Sequence, residues 1–217
     1  MIGIITAMQE EAEHIIKMYG LKNTKKLKNI SIYENDNIVL ALAGIGKVQA
    51  SIGVTYLFLN YDISKLINIG IAGSLLGKNA SIGDVFLVNK ISQHDMYLPF
   101  DGSHLDYAKR EIVINNNIFL DGDFEFKLVN NSYCLTGDQF IDDNNKVSEL
   151  RGKYNADVIE MEAFAVASVA REFDKLDNCI FIKAISDGAD SDAKDAHMGN
   201  LDFAMQNSLK VLEKIIN

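Results

Sequence analysis

The sequence predicts an α/β fold: one domain over residues 1–217, with a mixed central β-sheet flanked by helices. Three observations predict it. Short β-rich runs alternate with longer segments whose apolar residues recur at helical spacing. The first run, Ile2 to Thr6, is almost continuously apolar, as a strand buried on both faces is. No repeat or linker divides the 217 residues, a length suited to one sizeable core.

Taken in order, the strand at Ile2 to Thr6 leads into a helix opened by Glu10 and Glu11, where the macrodipole favours acids. Ile15, Ile16, Met18 and Tyr19 form the apolar side of that helix, and Gly20 is its expected stop. The run Lys22, Lys25, Lys26 and Lys28 reads as a solvated loop or helix end. Strands at Ile30 to Tyr33 and Ile38 to Ala43 flank the turn formers Glu34-Asn35-Asp36-Asn37, which predicts a hairpin. Lys47 to Tyr61 is helical, with Val48, Ile52, Tyr56 and Leu59 on its apolar side. Leu66 to Ile71 is a further buried strand, and Val85 to Val88 follows the turn Ile82-Gly83-Asp84.

Residues 89 to 131 carry no clear period. Beyond them come a strand at Ser132 to Leu135, a helix near Lys146 to Tyr154 and a strand at Asp157 to Glu160. A helix from Glu162 to Phe173, a strand from Cys179 to Ile185 and a helix from about Asn200 to Ile216 complete the chain.

The net charge of −9 and the lack of a Lys/Arg stripe argue against nucleic acid as a partner. No apolar run approaches the roughly 18 residues that span a bilayer, so no membrane partner is expected. The N-terminus has no basic n-region before Gln9, Glu10 and Glu11, and a cytoplasmic protein is expected. Cys134 and Cys179 sit far apart in apolar runs and read as buried thiols. His14, His94, His104 and His197 lack metal-ligand spacing; surface or loop positions are the default, and neither metal nor cofactor is expected.

Acids stand at the ends of three predicted strands: Glu10/Glu11, Glu160-Met161-Glu162 and Ser186-Asp187. Ligands collect at the carboxyl ends of strands in open α/β folds, and a carboxylate beside an apolar core is suited to proton transfer. Taken singly, Glu11 and Glu162 are also at home as helix-start acids and Asp187 as a turn cap. Gly44-Ile45-Gly46-Lys47 lacks the gap and the Ser/Thr of a phosphate loop and reads as a glycine turn. In Gly70-Ile71-Ala72-Gly73-Ser74 the backbone at Ala72 and Gly73 can approach a ligand closely.

Six blocks carry a resemblance. Ala7-Met8-Gln9-Glu10-Glu11, Gly44-Ile45-Gly46-Lys47 and Asn68-Ile69-Gly70-Ile71-Ala72-Gly73 come first. Thr136-Gly137-Asp138-Gln139-Phe140-Ile141, Val158-Ile159-Glu160-Met161-Glu162-Ala163 and Ala184-Ile185-Ser186-Asp187 follow in order. Together they resemble the bacterial methylthioadenosine/S-adenosylhomocysteine nucleosidases of the nucleoside phosphorylase superfamily.

The resemblance implies a nucleoside phosphorylase-like fold, a small-molecule nucleoside as partner, and hydrolysis of an adenine–ribose bond. It implies Glu11 as the general base that activates water and Asp187, beside Ser186, as the general acid that protonates the adenine imidazole ring. Glu162 and the Met161 backbone would hold the ribose hydroxyls, within the Glu160-Met161-Glu162 block. Phe140 would stack on the purine and main-chain groups of Ile141 would read its edge. Met8, Ile45 and Phe203 would line the pocket for the thio-substituent.

Lys183 stands where arginine is common in the family; the two cations hold partners differently, so a different hold on the water and on Glu11 is expected. The loop from His94 to His104 also departs from the usual form. In the family the corresponding region reaches the neighbouring subunit's active site, so the resemblance implies that the Tyr97-Leu98-Pro99-Phe100 cluster makes a homodimer contact, although the cluster by itself equally suits packing on its own core. The rival readings are a purine nucleoside phosphorylase, a futalosine or AMP hydrolase, and a non-catalytic nucleoside-binding protein. A phosphorylase needs a cationic phosphate site, and the arginines Arg110, Arg151 and Arg171 adjoin none of the six blocks.

Overall fold

The computed structural model describes residues 1–100, 102, 111–116 and 118–216. The chain runs through β1 (Ile2–Thr6), α1 (Gln9–Tyr19), β2 (Lys22–Lys26), β3 (Ser31–Glu34), β4 (Ile38–Leu42) and α2 (Lys47–Asn60). It continues through β5 (Lys65–Ser74), β6 (Val85–Gln93), β7 (Ile112–Val113), β8 (Leu128–Thr136) and α3 (Asn144–Tyr154). β9 (Val158–Glu160), α4 (Ala163–Glu172), β10 (Cys179–Asp187) and α5 (Ala193–Ile216) follow.

The strands form one mixed sheet in the order β10-β6-β8-β9-β5-β1-β4-β3-β2, with β7 against β6 and a further pairing of β10 with β5. That last pairing closes β5, β9, β8, β6 and β10 into a ring. The length of β5 makes this possible. Its first residues, Lys65 to Asn68, pair in parallel with β1, Leu66 to Gly73 pair in parallel with β10, and its end, Gly73 and Ser74, pairs antiparallel with β9.

Alternation along the central strands sends neighbours to opposite layers. Ile4, Leu40, Ile180 and Ile182 join Ala12 and Ile15 of α1 and Leu201, Met205 and Leu212 of α5 in one core. Ile5, Val39, Ala41 and Phe181 join Val54 and Leu57 of α2 and Phe164 and Val166 of α4 in the other. A smaller cluster links Val147 and Leu150 of α3 to Leu75, Leu135, Ile141 and Ile159.

The expected mixed sheet, the β3–β4 hairpin and the helices all form. Asn35 makes the hairpin turn, its Oδ1 accepting from the backbone N–H groups of Asn37 and Ile38. Cys134 and Cys179 are buried free thiols.

Several expectations are corrected. Of the basic run, Lys22, Lys25 and Lys26 lie not in a loop or helix end but on an exposed edge strand, where lysines discourage pairing with other chains, while Lys28 sits in the loop that follows as expected. β5 and β6 run on to Ser74 and Gln93, past the expected ends at Ile71 and Val88, because long-range pairing with β9 and β8 extends them. The last helix begins at Ala193, not near Asn200, so Gly199 lies within it. Of the apolar side expected of α2, Val48, Ile52 and Leu59 are exposed, while Tyr56 packs partly against the core. Ala50, Gly53, Val54 and Leu57 face the core, while Val48 and Leu59 are 67% and 70% exposed. Of the loop from His94 to His104, residues 101, 103 and 104 lie outside the described residues.

Candidate active site

Of the acids singled out in the sequence, Glu11, Glu160, Glu162 and Asp187 gather at the carboxyl ends of strands, while Glu10 is exposed on α1. Glu11 lies one turn into α1 after β1, Glu160 ends β9, Glu162 follows two residues later, and Asp187 ends β10. The sheet brings these ends around one cavity of about 630 Å³ including its open mouth. That size suits a nucleoside-sized ligand. Met8, Glu11, Ile45, Ala72, Gly73, Phe140, Ile141, Glu160, Met161, Glu162, Ser186 and Asp187 all line it.

Glu11 is buried and fixed by four donors. Its Oε2 accepts from the Thr6 hydroxyl at 2.5 Å and from the backbone N–H groups of Ala7 and Met8 at 3.1 and 3.0 Å. Its Oε1 accepts from the Ile71 N–H at 3.1 Å. The bond from Met8 is the returning half of a capping box, so the residues that start α1 also orient the acid.

Glu160 and Glu162, two residues apart, have opposite environments. The Glu160 carboxylate receives the Lys183 ammonium at 2.7 Å, the Thr136 hydroxyl at 2.6 Å and the N–H groups of Glu162 and Ala163. Burial alone would raise its pKa, but the Lys183 charge and these bonds prevail and hold it below the ordinary carboxylate value. The rise expected of an acid beside an apolar core is therefore overturned at Glu160.

At Glu162 it takes place. Burial and then repulsion from Glu160 raise that carboxyl to about 8, against the opposing pull of Lys183 and the Gly46 N–H. That N–H donates to Glu162 Oε1 at 2.8 Å. Gly44 and Gly46, both at φ +96°, turn the chain there, so the glycine-turn reading of this block holds. Lys183 points at Glu160 rather than Glu11. The carboxylates Glu160 and Glu162 outweigh its burial and raise its pKa, so it is a buried cation.

Asp187 accepts the Ser186 hydroxyl on Oδ2 at 2.8 Å and the Ala189 N–H on Oδ1 at 2.9 Å. A Cβ on Gly73 would stand 2.9 Å from Asp187 Oδ1, so only glycine leaves the acid its place. Phe140 stands at the rim, 45% exposed, with its ring edge-on to that of His197 at 5.4 Å.

Phe203 is absent from the lining. It packs over the turn at Gly83, whose added Cβ would meet the Phe203 ring at 2.4 Å. From the same helix His197 reaches the cavity instead, its Nδ1 standing 3.6 Å from Asp187 Oδ2. The surface default misplaced His197. The signal was its spacing of four from Leu201, which continues the buried face of α5 toward its start. His94 is also drawn inward, against Gly137. Among the described residues, no three His, Cys, Asp or Glu side chains are grouped as a metal requires. None of the described residues lining the cavity is Lys or Arg.

Comparisons with known proteins agree with this arrangement. All of residues 1–217 match the phosphorylase superfamily. The chain is 32% identical to the 5'-methylthioadenosine/S-adenosylhomocysteine nucleosidase of Buchnera aphidicola subsp. Baizongia pistaciae, covering 99% of this chain and 89% of that one. It is 27% identical to the aminodeoxyfutalosine nucleosidase of Helicobacter pylori over 100% and 97% of the two chains.

Its fold superimposes with a TM-score of 0.85 on the Neisseria meningitidis 5'-methylthioadenosine/S-adenosylhomocysteine nucleosidase solved with methylthio-immucillin-A. That pair is 27% identical over 99% and 97% of the chains. With its acids gathered at strand ends on a shared fold, the chain belongs to the 5'-methylthioadenosine/S-adenosylhomocysteine nucleosidase family of the phosphorylase superfamily.

Proposed function

We propose that this enzyme, an N-glycosyl hydrolase, cleaves 5'-methylthioadenosine, S-adenosylhomocysteine, or both, into adenine and the thioribose product. The observation that carries the reading is the convergence of Glu11, Glu162 and Asp187 on one nucleoside-sized cavity. Adenine is a poor leaving group until its ring is protonated, and Asp187 supplies that proton. The C1'–N9 electron pair leaves with the base, and the cationic ribose is stabilised by the carboxylates around it. Glu11 takes a proton from the water that bonds to C1', while Glu162 holds the ribose hydroxyls. Phe140 stacks on the purine, main-chain groups of Ile141 read its edge, and Met8 and Ile45 form the apolar end for the thio-substituent. An acid and a base of this kind are the two carboxyls of glycoside hydrolysis applied to a C–N bond.

Water is the favoured nucleophile because the described lining is carboxylate-rich and lacks the cations that gather phosphate. A second reading, cleavage of a futalosine-type nucleoside, is favoured by the similarity to the Helicobacter pylori aminodeoxyfutalosine nucleosidase. The apolar lining at Met8 and Ile45 supports the thio-nucleosides over it.

A homodimer is part of the proposal. α2 is apolar on two sides, and Val48, Ile52 and Leu59, with Ile45 just before the helix, leave the second side open to solvent. Such a stripe beside the site is suited to cover by a second copy. No helix among the described residues is long and apolar enough to cross a membrane. The free thiols suit a reducing compartment, and the cytoplasm is proposed as the location.

The test is product chromatography from 5'-methylthioadenosine, S-adenosylhomocysteine, aminodeoxyfutalosine, adenosine and inosine, with and without phosphate. Free methylthioribose formed without phosphate is the expected result. A sugar phosphate formed only with phosphate would select a phosphorylase, and no cleavage would select a binding protein.

A further inference from the structure

His197 is the one imidazole among the described residues lining the cavity, and its surroundings are specific. It sits on the first turns of α5, with its side chain 19% exposed. Its Nδ1 faces Asp187 Oδ2 at 3.6 Å and Ser186 Oγ at 3.5 Å, and Ser186 Oγ donates to that same Oδ2 at 2.8 Å. The Phe140 ring stands edge-on to it at 5.4 Å. The imidazole thus touches the proposed acid directly and through a hydroxyl, while part of it reaches solvent.

The proposed reaction leaves a proton deficit at this spot. In each turnover Asp187 gives a proton to the departing adenine, and Glu11 gains one from the attacking water. Before the next turnover Asp187 must be reprotonated. Its oxygens are buried, and their protein partners are the Ser186 hydroxyl and the Ala189 N–H. Neither is an acid near neutral pH. Imidazole is the side chain that gains and loses a proton there.

We propose that His197 feeds the proton to Asp187, passing it from solvent to Oδ2 through Nδ1, either directly or by way of Ser186 Oγ. The proposal rests on the nucleosidase reading of the site. The transfer balances without any further reagent. Imidazolium loses the Nδ1 proton, the Asp187 carboxylate becomes a carboxylic acid, and bulk water reprotonates the ring at its exposed edge. In the route through serine, Ser186 Oγ accepts the imidazolium proton as it passes its own to Oδ2. Glu11 returns its proton to solvent separately. His197 acts through Asp187 and so is a positioning residue rather than a catalytic one.

The other charges on the cavity are Glu11, Glu160 and Glu162, with Lys183 bound to Glu160, and Asp190, Asp192, Lys194 and Asp195 flank His197 along its own segment.

The experiment measures kcat and KM for 5'-methylthioadenosine from pH 5 to 9 in the unaltered enzyme and in His197→Ala, His197→Gln and His197→Phe. Each is assayed in non-donor buffer and with added imidazole. The expected result is a roughly 10- to 100-fold fall in kcat for all three variants, with KM within about threefold, as the loss of a proton-transfer partner gives. The alkaline limb of the kcat profile should lose one ionisation, and imidazole should restore turnover to His197→Ala in proportion to its protonated concentration.

His197→Gln keeps a polar side chain of similar length and guards against a variant that misfolds. Variants with near-normal kcat and no response to imidazole would overturn the relay while leaving the nucleosidase intact. If the unaltered enzyme cleaves no nucleoside, the nucleosidase reading falls and the relay falls with it.

Discussion

Gly70 lies directly beneath Glu11: a Cβ on that glycine would stand 2.6 Å from Glu11 Oε1 and 3.3 Å from its Cδ. The carboxylate is held by four donors, so an added methyl group competes with fixed hydrogen bonds. Gly70→Ala is expected to move the carboxylate rather than the strand. The fall in kcat/KM should be about 10- to 100-fold, since a displacement near 1 Å in a positioned group costs that much. Thermal unfolding should shift by only a few degrees, and a large drop in Tm would show that the strand had moved instead.

Asp187→Asn preserves size, and its one oxygen can still accept the Ala189 N–H while its amide NH2 faces the Ser186 hydroxyl oxygen. It cannot supply a proton. Steady-state assays should show kcat lower by about 10²- to 10⁴-fold, the usual worth of a positioned general acid, with circular dichroism unchanged. Near-normal turnover would remove Asp187 from the mechanism.

Lys183 and Glu160 are a buried ion pair at 2.7 Å, each with almost no exposed side chain. Removing the cation alone strands a buried carboxylate, which costs about 3–5 kcal/mol. Lys183→Met should lower stability by that amount in denaturant titrations. Lys183→Met with Glu160→Gln should recover much of it, because the second change neutralises the orphaned charge.

The raised carboxyl of Glu162 makes a stability prediction of definite sign. In the unfolded chain it ionises near its ordinary value of 4.5, and in the folded chain at about 8. Between those values the native state binds the extra proton, so this group's stabilising contribution, full below about 4.5, is lost as pH rises to about 8. Glu160, held below its ordinary value, contributes with the opposite sign in acid. Unfolding free energies across pH 5 to 8 should decline less steeply in Glu162→Gln than in the unaltered protein. Identical slopes would place the Glu162 pKa near that of the unfolded chain.

The exposed stripe on α2 predicts the assembly state. Val48→Glu with Leu59→Glu introduces charge where burial in a dimer is proposed. Sedimentation should show a dimer for the unaltered chain and a monomer for the double variant. A monomer in both cases would refute the dimer.

Much of the site was legible before any fold was known. Glu11, Glu162 and Asp187 follow apolar runs that can only be buried strands, and strand ends are where an α/β sheet presents side chains to a ligand. Phe203 and His197 show where that reasoning stops. Both belong to α5, six residues and about 1.7 turns apart, and the phase of the helix decides which of them faces the cavity. Gly199 and the polar residues around it masked the early start of that helix at Ala193. The exposed face of α2 was misread for a related reason. Periodicity identifies an apolar stripe but not what covers it, and this helix carries two.

By itself the sequence determined most of the elements, their alternation and the acids at three strand ends, because local pattern and turn chemistry encode these; β2 and β7 take their strand form from pairing with β3 and β6. Tertiary structure decided how unlike those acids are. Glu160 and Glu162 are two residues apart, yet one meets the Lys183 ammonium and the other meets burial and the charge of its neighbour. Closure of the ring through β5 and β10 also brought Gly73 against Asp187. A carboxyl's proton affinity depends on charges and dipoles within a few ångströms, and only the folded chain places those.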